Sequence, residues 1–171
     1  EEINLARELF SKSQATLDDM IVNLTEVKWS LLRGQILPAQ KWLQSIGLTD
    51  HSNFDKLNGY PKPIAVSAQL ICARLNLVQG QLTNNPEKVA LAAGELDQII
   101  RELIDGNLGE RLIEAYILSA FTSHELRKTN EMISSLKNAL KLAETEEFRQ
   151  VFIDEGIPMS RLLSLYLTVI R

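Results

Sequence analysis

Hydrophobic residues recur along the chain at intervals of three and four positions, which is the spacing of one face of an α-helix. No stretch alternates apolar and polar residues in the way that a half-buried β-strand requires. Glycine, proline and clusters of polar residues divide the pattern into segments of helical length. The pattern predicts an all-α chain with about nine helices, near residues 3–10, 16–33, 38–46, 64–79, 86–104, 109–122, 129–143, 146–155 and 158–170.

Glycine and asparagine mark several of the expected helix ends. Gly34 and Gly80 each follow the first helix of a predicted pair, because glycine accepts the left-handed backbone found after many helices. Asn85 and Pro86 mark a helix start, since asparagine caps free N–H groups and proline fits the first turn. Residues 48–61 are mostly polar and predict a long connection. The helices are therefore expected to form antiparallel pairs.

The second helix of three successive pairs carries the same trio of apolar positions, spaced i, i+4 and i+7 on one helix face. The trios are Ala39, Leu43 and Ile46; Ala92, Leu96 and Ile99; and Met132, Leu136 and Ala139. A helical hairpin cannot bury its apolar face alone, so neighbouring pairs should stack on one another. The repeats predict a single α-solenoid of stacked antiparallel helix pairs over residues 1–171.

Composition and charge narrow the class of function. The net charge is −4 and the isoelectric point is about 5.3, whereas a nucleic-acid-binding domain normally carries a clustered basic surface. No apolar stretch approaches the ~20 residues of a membrane-spanning helix. The single cysteine, Cys72, fits a reducing compartment, and we expect a cytoplasmic protein. Both ends interrupt helical patterns, so we expect the chain to be a segment of a larger protein.

Residues that often carry chemistry have no supporting constellation in this sequence. Cys72 lies in an apolar helix, and a buried packing thiol is the simpler interpretation. His51 and His124 lack the spacing of metal ligands. Trp29 and Trp42 are expected to pack between the helices of the first pair rather than to stack a ligand. The sequence predicts no catalytic residue and no metal site, and we expect that the chain is not an enzyme.

Several blocks resemble the helical arm of a known protein family. They are residues 29–35 with 39–43, residues 136–144, and the run Phe-Ile-Asp-Glu-Gly-Ile-Pro-Met at residues 152–159, which is the most specific of them. The family is that of the large ATP-binding LuxR-type transcription regulators, and the maltose-regulon activator is its best-known member. The likeness covers nearly the whole chain. In this family a TPR-like arm lies between a nucleotide-binding module and a helix-turn-helix module.

The resemblance implies a TPR-like arm that senses a small-molecule inducer or a regulatory protein and relays the signal. Its partners would include the NTPase and helix-turn-helix modules of the parent chain. No phosphate-binding loop exists in these residues, so ATP is expected only in the nucleotide-binding module, and this segment is expected to hold no cofactor. Contact with a nucleic acid or a membrane is not expected. The alternative is a free-standing TPR-type adaptor that assembles proteins.

A candidate binding surface follows from the expected stacking. In TPR-like stacks the first helices of the pairs line the concave surface. The position six residues before the end of each first helix gives Lys28, Arg74 and Phe121, and His124 lies one turn beyond Phe121. Two cations and an aromatic side chain suit an anionic or polar ligand or an acidic peptide. If Lys28 and Arg74 are exposed, reversing their charges should remove binding with little loss of stability; the alternative is that all four are solvated face residues.

Overall fold

A computed structural model describes residues 18–48, 54–104, 106, 108–146 and 148–169. These ranges contain no β-strand and form eight α-helices together with a short 3₁₀ turn at Phe54–Leu57. The helices are residues 18–32 (α1), Leu37–Ser45 (α2), Lys62–Thr83 (α3), Pro86–Leu103 (α4), Gly109–Glu125 (α5), Thr129–Glu146 (α6), Gln150–Asp154 (α7) and Gly156–Val169 (α8). The helix predicted near residues 3–10 lies outside the described residues. The all-α prediction is confirmed.

The helices stack as antiparallel neighbours along the chain. Helix α3 packs on α4, α4 on α5 and α5 on α6, while α3 and α5 also touch each other. A contact between Lys28 and Glu114 brings α1 to α5 as well. The first helices of the pairs therefore meet on one side, and the surface formed by α1, α3, α5 and the α7–α8 turn is called here the inner face. Among the described helices, none is long and apolar enough to cross a membrane.

The predicted trios point into the interior. Leu43, Leu96 and Leu136, the middle members, are at most 2% exposed. Of the six flanking residues, five are buried, and Ile46 is half-buried because it follows the last turn of α2. The shared spacing on α2, α4 and α6 thus reflects three equivalent faces packed against the first helices.

Helix α3 lies between two hydrophobic cores. One core joins α3 to α4, α5, α6 and the last two helices, and the other joins it to α1, α2 and the 3₁₀ turn. Fourteen of its 22 residues are buried, from Ile64 to Gly80. A helix enclosed on most sides has no solvent stripe, so its polar residues cannot be assigned to the surface from periodicity alone.

Gly80 does not end a helix, contrary to the sequence prediction. Helix α3 continues to Thr83, and the left-handed residue after it is Asn84, with φ of 50°. A Cβ on Gly80 would lie 2.5 Å from Val89 Cγ2 and 3.0 Å from the carbonyl oxygen of Asn85. Glycine is needed at this position because α4 begins directly against the backbone of α3.

Gly80→Ala should therefore destabilise the chain by about 1–3 kcal/mol, because the new methyl group overpacks the junction of α3 and α4. Gly94→Ala is the matched control, since Gly94 also lies inside a helix but a Cβ there meets no atom within 4 Å. That change should stabilise by about 1 kcal/mol through helix propensity. Urea unfolding of both variants measures the two effects; equal effects of the same sign would contradict the close approach.

The turns that end the first helices are equivalent to one another in backbone conformation. Gly34, Asn84 and Arg127 follow α1, α3 and α5 with φ of 74°, 50° and 59°. The equivalent of Gly34 in the second pair is thus Asn84, four residues beyond Gly80. Counting back six residues from Gly80 gives Arg74. Counting back six residues from Asn84 gives Val78, which is the position on α3 equivalent to Lys28 on α1.

A hydrogen-bonded polar pair, Asn76 and Glu95, is buried beside Cys72. The amide nitrogen of Asn76 donates to both carboxylate oxygens of Glu95 at 3.2 and 3.1 Å, and Cys72 is 1% exposed. Burial raises the pKa of Glu95 to about 7, against the opposing hydrogen bond from Asn76. Burial, together with the charge of Glu95, raises the pKa of the Cys72 thiol to about 12. The interpretation of Cys72 as a buried packing thiol is confirmed.

The raised pKa of Glu95 gives a pH dependence of stability with a definite sign. The Glu95 carboxyl binds its proton more tightly in the folded state than in the unfolded chain. Protonated Glu95 therefore contributes its full share to the free energy of unfolding below pH about 4.5, and this contribution is lost as the pH rises through about 7. Glu95→Gln removes this loss. We expect the free energy of unfolding of the variant, relative to the natural chain, to increase by about 2 kcal/mol between pH 5 and pH 8. Urea titrations at both pH values measure it, and a pH-independent difference would contradict the assignment.

Candidate ligand-binding site

The centre of the inner face is a buried arginine in the middle of α3. The Arg74 guanidinium donates from Nη1 to Glu155 Oε2 at 3.0 Å and from Nη2 to Glu155 Oε1, which makes a two-pronged pair. Nη2 also donates to Glu114 Oε1 at 3.4 Å. Burial lowers the pKa of Arg74, but the charges and hydrogen bonds of Glu155 and Glu114 outweigh burial and raise it above its ordinary value. Arg74 is therefore a fixed buried cation.

Glu114 lies in the middle of α5 and joins two cations. Its Oε2 accepts a hydrogen bond from Lys28 Nζ at 3.1 Å, and its Oε1 faces Arg74. Burial raises the pKa of this carboxyl, but Lys28, Arg74 and then Arg111 together hold the pKa below its ordinary value. Glu114 is thus ionised and bridges α1 and α3 to α5.

The four side chains Lys28, Arg74, Glu114 and Glu155, called here the inner ion network, carry two positive and two negative charges. They come from α1, α3, α5 and the turn between α7 and α8. Buried ions are tolerated when they are paired and hydrogen-bonded. The network therefore connects α1, α3 and α5 to the turn at which α8 begins.

An open pocket of about 200 Å³ adjoins the network. Arg74, Glu155 and Phe121 line it. Most of the other lining residues are apolar: Leu31, Leu32, Leu77, Val78, Leu82 and Pro158, with Gly34 and Gln81 completing the set. Among the described lining residues, Arg74 is the only cation. An apolar cleft with a few convergent polar groups is the usual form of a small-molecule site.

The family of the chain follows from its whole sequence. The family model described as the MalT-like TPR region matches residues 3–168. The chain belongs to the MalT-like TPR family. Among curated proteins and solved structures, none matches it. A MalT-like TPR region is a helical-repeat fold, whose stacked pairs build extended binding surfaces.

Of the predicted site residues in this MalT-like TPR region, Arg74 and Phe121 lie together in the pocket. Phe121 is 9% exposed and lines the pocket. Lys28 lies on the other side of the network, where it lines a smaller cavity of about 70 Å³ with Glu114. His124 is exposed and does not line this pocket. The structure thus brings three of the four residues around the network, and their role in binding stays a prediction.

The expected exposure of Arg74 is wrong, because its side chain is 5% exposed and paired with two carboxylates. Lys28 keeps 24% of its side-chain surface. The expectation for the tryptophans is half right, since Trp42 is buried while Trp29 is 45% exposed. The sequence pattern places Arg74 on a solvent-exposed face, but α3 has no such face at this position because other helices enclose it.

Sequence reasoning missed the two carboxylates that complete the site. Glu114 interrupts the apolar run of α5, between Ile113 and Ala115. A lone acid inside an apolar helix and a lone base inside another, here Arg74, are the signal that predicts a buried pair, because either charge alone is costly to bury. Glu155 gives no such local signal, since it stands at a turn beside Asp154.

Proposed function

We propose that this MalT-like TPR region is the effector-sensing and signal-relay arm of a LuxR-type, ATP-dependent transcription regulator. The observation that supports the proposal most directly is the inner ion network beside the open pocket. A ligand in the pocket contacts Arg74 and Glu155, and these two residues join the middle of the solenoid to its last helices. A ligand in the pocket would therefore act on the α7–α8 turn through this pair of side chains.

A regulatory protein is the second kind of effector that one observation favours. Trp29, with Glu26, Ser30 and Arg33, lines a shallow depression on α1 away from the pocket. Exposed tryptophan and arginine are enriched among the residues that dominate protein–protein affinity. A sensor arm that takes both a small molecule and a protein would use the pocket for the first and this depression for the second.

A thermal-shift screen of metabolites on the 171-residue chain tests the proposal. A pocket ligand at 100 times its Kd adds about 2.7 kcal/mol to the free energy of unfolding. Val78→Phe should abolish the shift because Val78 lines the pocket, whereas Val22→Phe, on the exposed side of α1, should not. Ligands that shift both variants equally would place the site elsewhere.

The complete gene distinguishes the sensor arm from a free-standing TPR-type adaptor. The sensor requires a phosphate-binding loop before this region and a helix-turn-helix after it. Partner binding without any metabolite shift, in a gene that lacks both modules, would favour the adaptor.

A further inference from the structure

The pocket adjoins an ion pair whose two members are held very differently. Arg74 lies in the middle of a 22-residue helix that is packed between two cores. Glu155 lies at the turn after the five-residue helix α7, and the next residue, Gly156, has φ of 61° and open space within 4 Å on the side where a Cβ would stand. Arg74 cannot leave without disturbing both cores, whereas Glu155 can leave by a change in one short turn.

The partners of the two carboxylates also differ. Glu114 is held by Lys28 as well as by Arg74, and Arg111 adds to the positive potential around it. The only cation that Glu155 contacts among the described residues is Arg74. Glu155 makes the closer contact with Arg74, but it is the carboxylate whose displacement leaves no second cation unpaired, because Glu114 also pairs with a lysine.

We propose that the pocket binds a small organic anion with an apolar body, whose acid group replaces the Glu155 carboxylate at Arg74 and so releases the α7–α8 turn. The inference rests on the proposed sensing function and adds to it the class of ligand and the means of relay. The apolar walls and Phe121 receive the body of the ligand, and Arg74 receives its acid group.

Charge balance selects an anion over the other classes. When an anion replaces Glu155, Arg74 keeps its paired and hydrogen-bonded state, and Glu155 moves from a buried position to water. A cationic ligand would need to displace Arg74 itself. An uncharged ligand that displaced Glu155 would leave the buried guanidinium short of one carboxylate, which is costly.

The arginine can also accommodate the incoming group geometrically. A guanidinium has five N–H donors, and Arg74 uses three hydrogen bonds for the carboxylates of the described residues. The pocket volume of about 200 Å³ lies below the roughly 300–1,000 Å³ of sites for drug-sized ligands, which suits a small acid rather than a peptide.

Calorimetric titration with 3-phenylpropanoate and hexanoate, each compared with its uncharged amide, tests the exchange. We expect at least one acid to bind at least tenfold more tightly than its amide. Glu155→Gln should increase the affinity for the acid about tenfold or more, because it removes the charged competitor at Arg74. Asp154→Asn is the matched control at the neighbouring carboxylate, which accepts a hydrogen bond from Gln150 instead, and should leave the affinity unchanged.

Hydrogen–deuterium exchange supplies a second measurement on the same samples. The acid should speed amide exchange in residues 150–160 of the natural chain, and Glu155→Gln should speed it without ligand. Weaker or unchanged acid binding by Glu155→Gln, equal affinity of acid and amide, or no binding of either acid to that variant would each overturn the proposal. An uncharged metabolite that binds the pocket without affecting exchange at the turn would overturn the anion exchange but leave the sensing function standing.

Discussion

Replacing Arg74 with methionine should destabilise the chain by about 3–5 kcal/mol, which is the usual cost of removing one partner from a buried ion pair. Methionine fills a similar volume but leaves Glu155 without a cation among the described residues and Glu114 with Lys28 alone. The large expected effect follows from burial, since the Arg74 and Glu155 side chains are each 5% exposed. Urea unfolding measures the loss.

Two further variants separate the ion network from packing. Lys28→Met should cost only about 1 kcal/mol, because Lys28 is partly exposed and Glu114 keeps Arg74. The double variant Arg74→Met/Glu155→Gln should lose less free energy of unfolding than the two single variants lose together, by more than about 1 kcal/mol. The reason is that the double variant no longer buries an unpaired Glu155 carboxylate. A loss below about 1 kcal/mol for Arg74→Met would mean that the network is solvated.

The sequence predicts the helices well because their signal is local. Apolar spacing of three and four residues and the cap at Asn85 depend only on near neighbours, and Asn85 does accept hydrogen bonds from the backbone N–H groups of Glu87 and Lys88. Helix ends were less predictable where packing decides them. α6 continues to Glu146 rather than ending near Ala143, and the Thr145 hydroxyl donates back to the carbonyl oxygen of Lys141 within this helix.

The candidate site was only partly predictable because its partners are distant in sequence. Arg74 pairs with Glu114 at a separation of 40 residues and with Glu155 at 81. The periodicity of a helix normally predicts that a charged residue faces solvent. Arg74 is buried because α1, α3 and α5 stack against one another, which the local sequence does not show. The sequence predicts Phe121 correctly as a residue of this surface because the count starts from Arg127. Arg127 ends α5 in the same left-handed conformation in which Gly34 follows α1.

Leu136→Ala and Leu96→Ala should each destabilise the chain by about 2–5 kcal/mol. Both leucines are 0% exposed and occupy the middle of an inward-facing trio, so truncation leaves a cavity that the rigid neighbouring helices fill only in part. Helix propensity does not contribute to the loss, because alanine is at least as good a helix former as leucine.

Lys137→Ala is the matched control for Leu136, since Lys137 is the next residue of the same helix and is exposed. Lys41→Ala, on the exposed side of α2, serves the same purpose in the first pair. Both lysine changes should alter the free energy of unfolding by less than about 0.5 kcal/mol. Urea unfolding of the four variants ranks the positions directly. If either lysine proved as sensitive as the leucines, the second helices would be rotated relative to the first, and the inner face, with its ion network, would not be the surface formed by α1, α3 and α5.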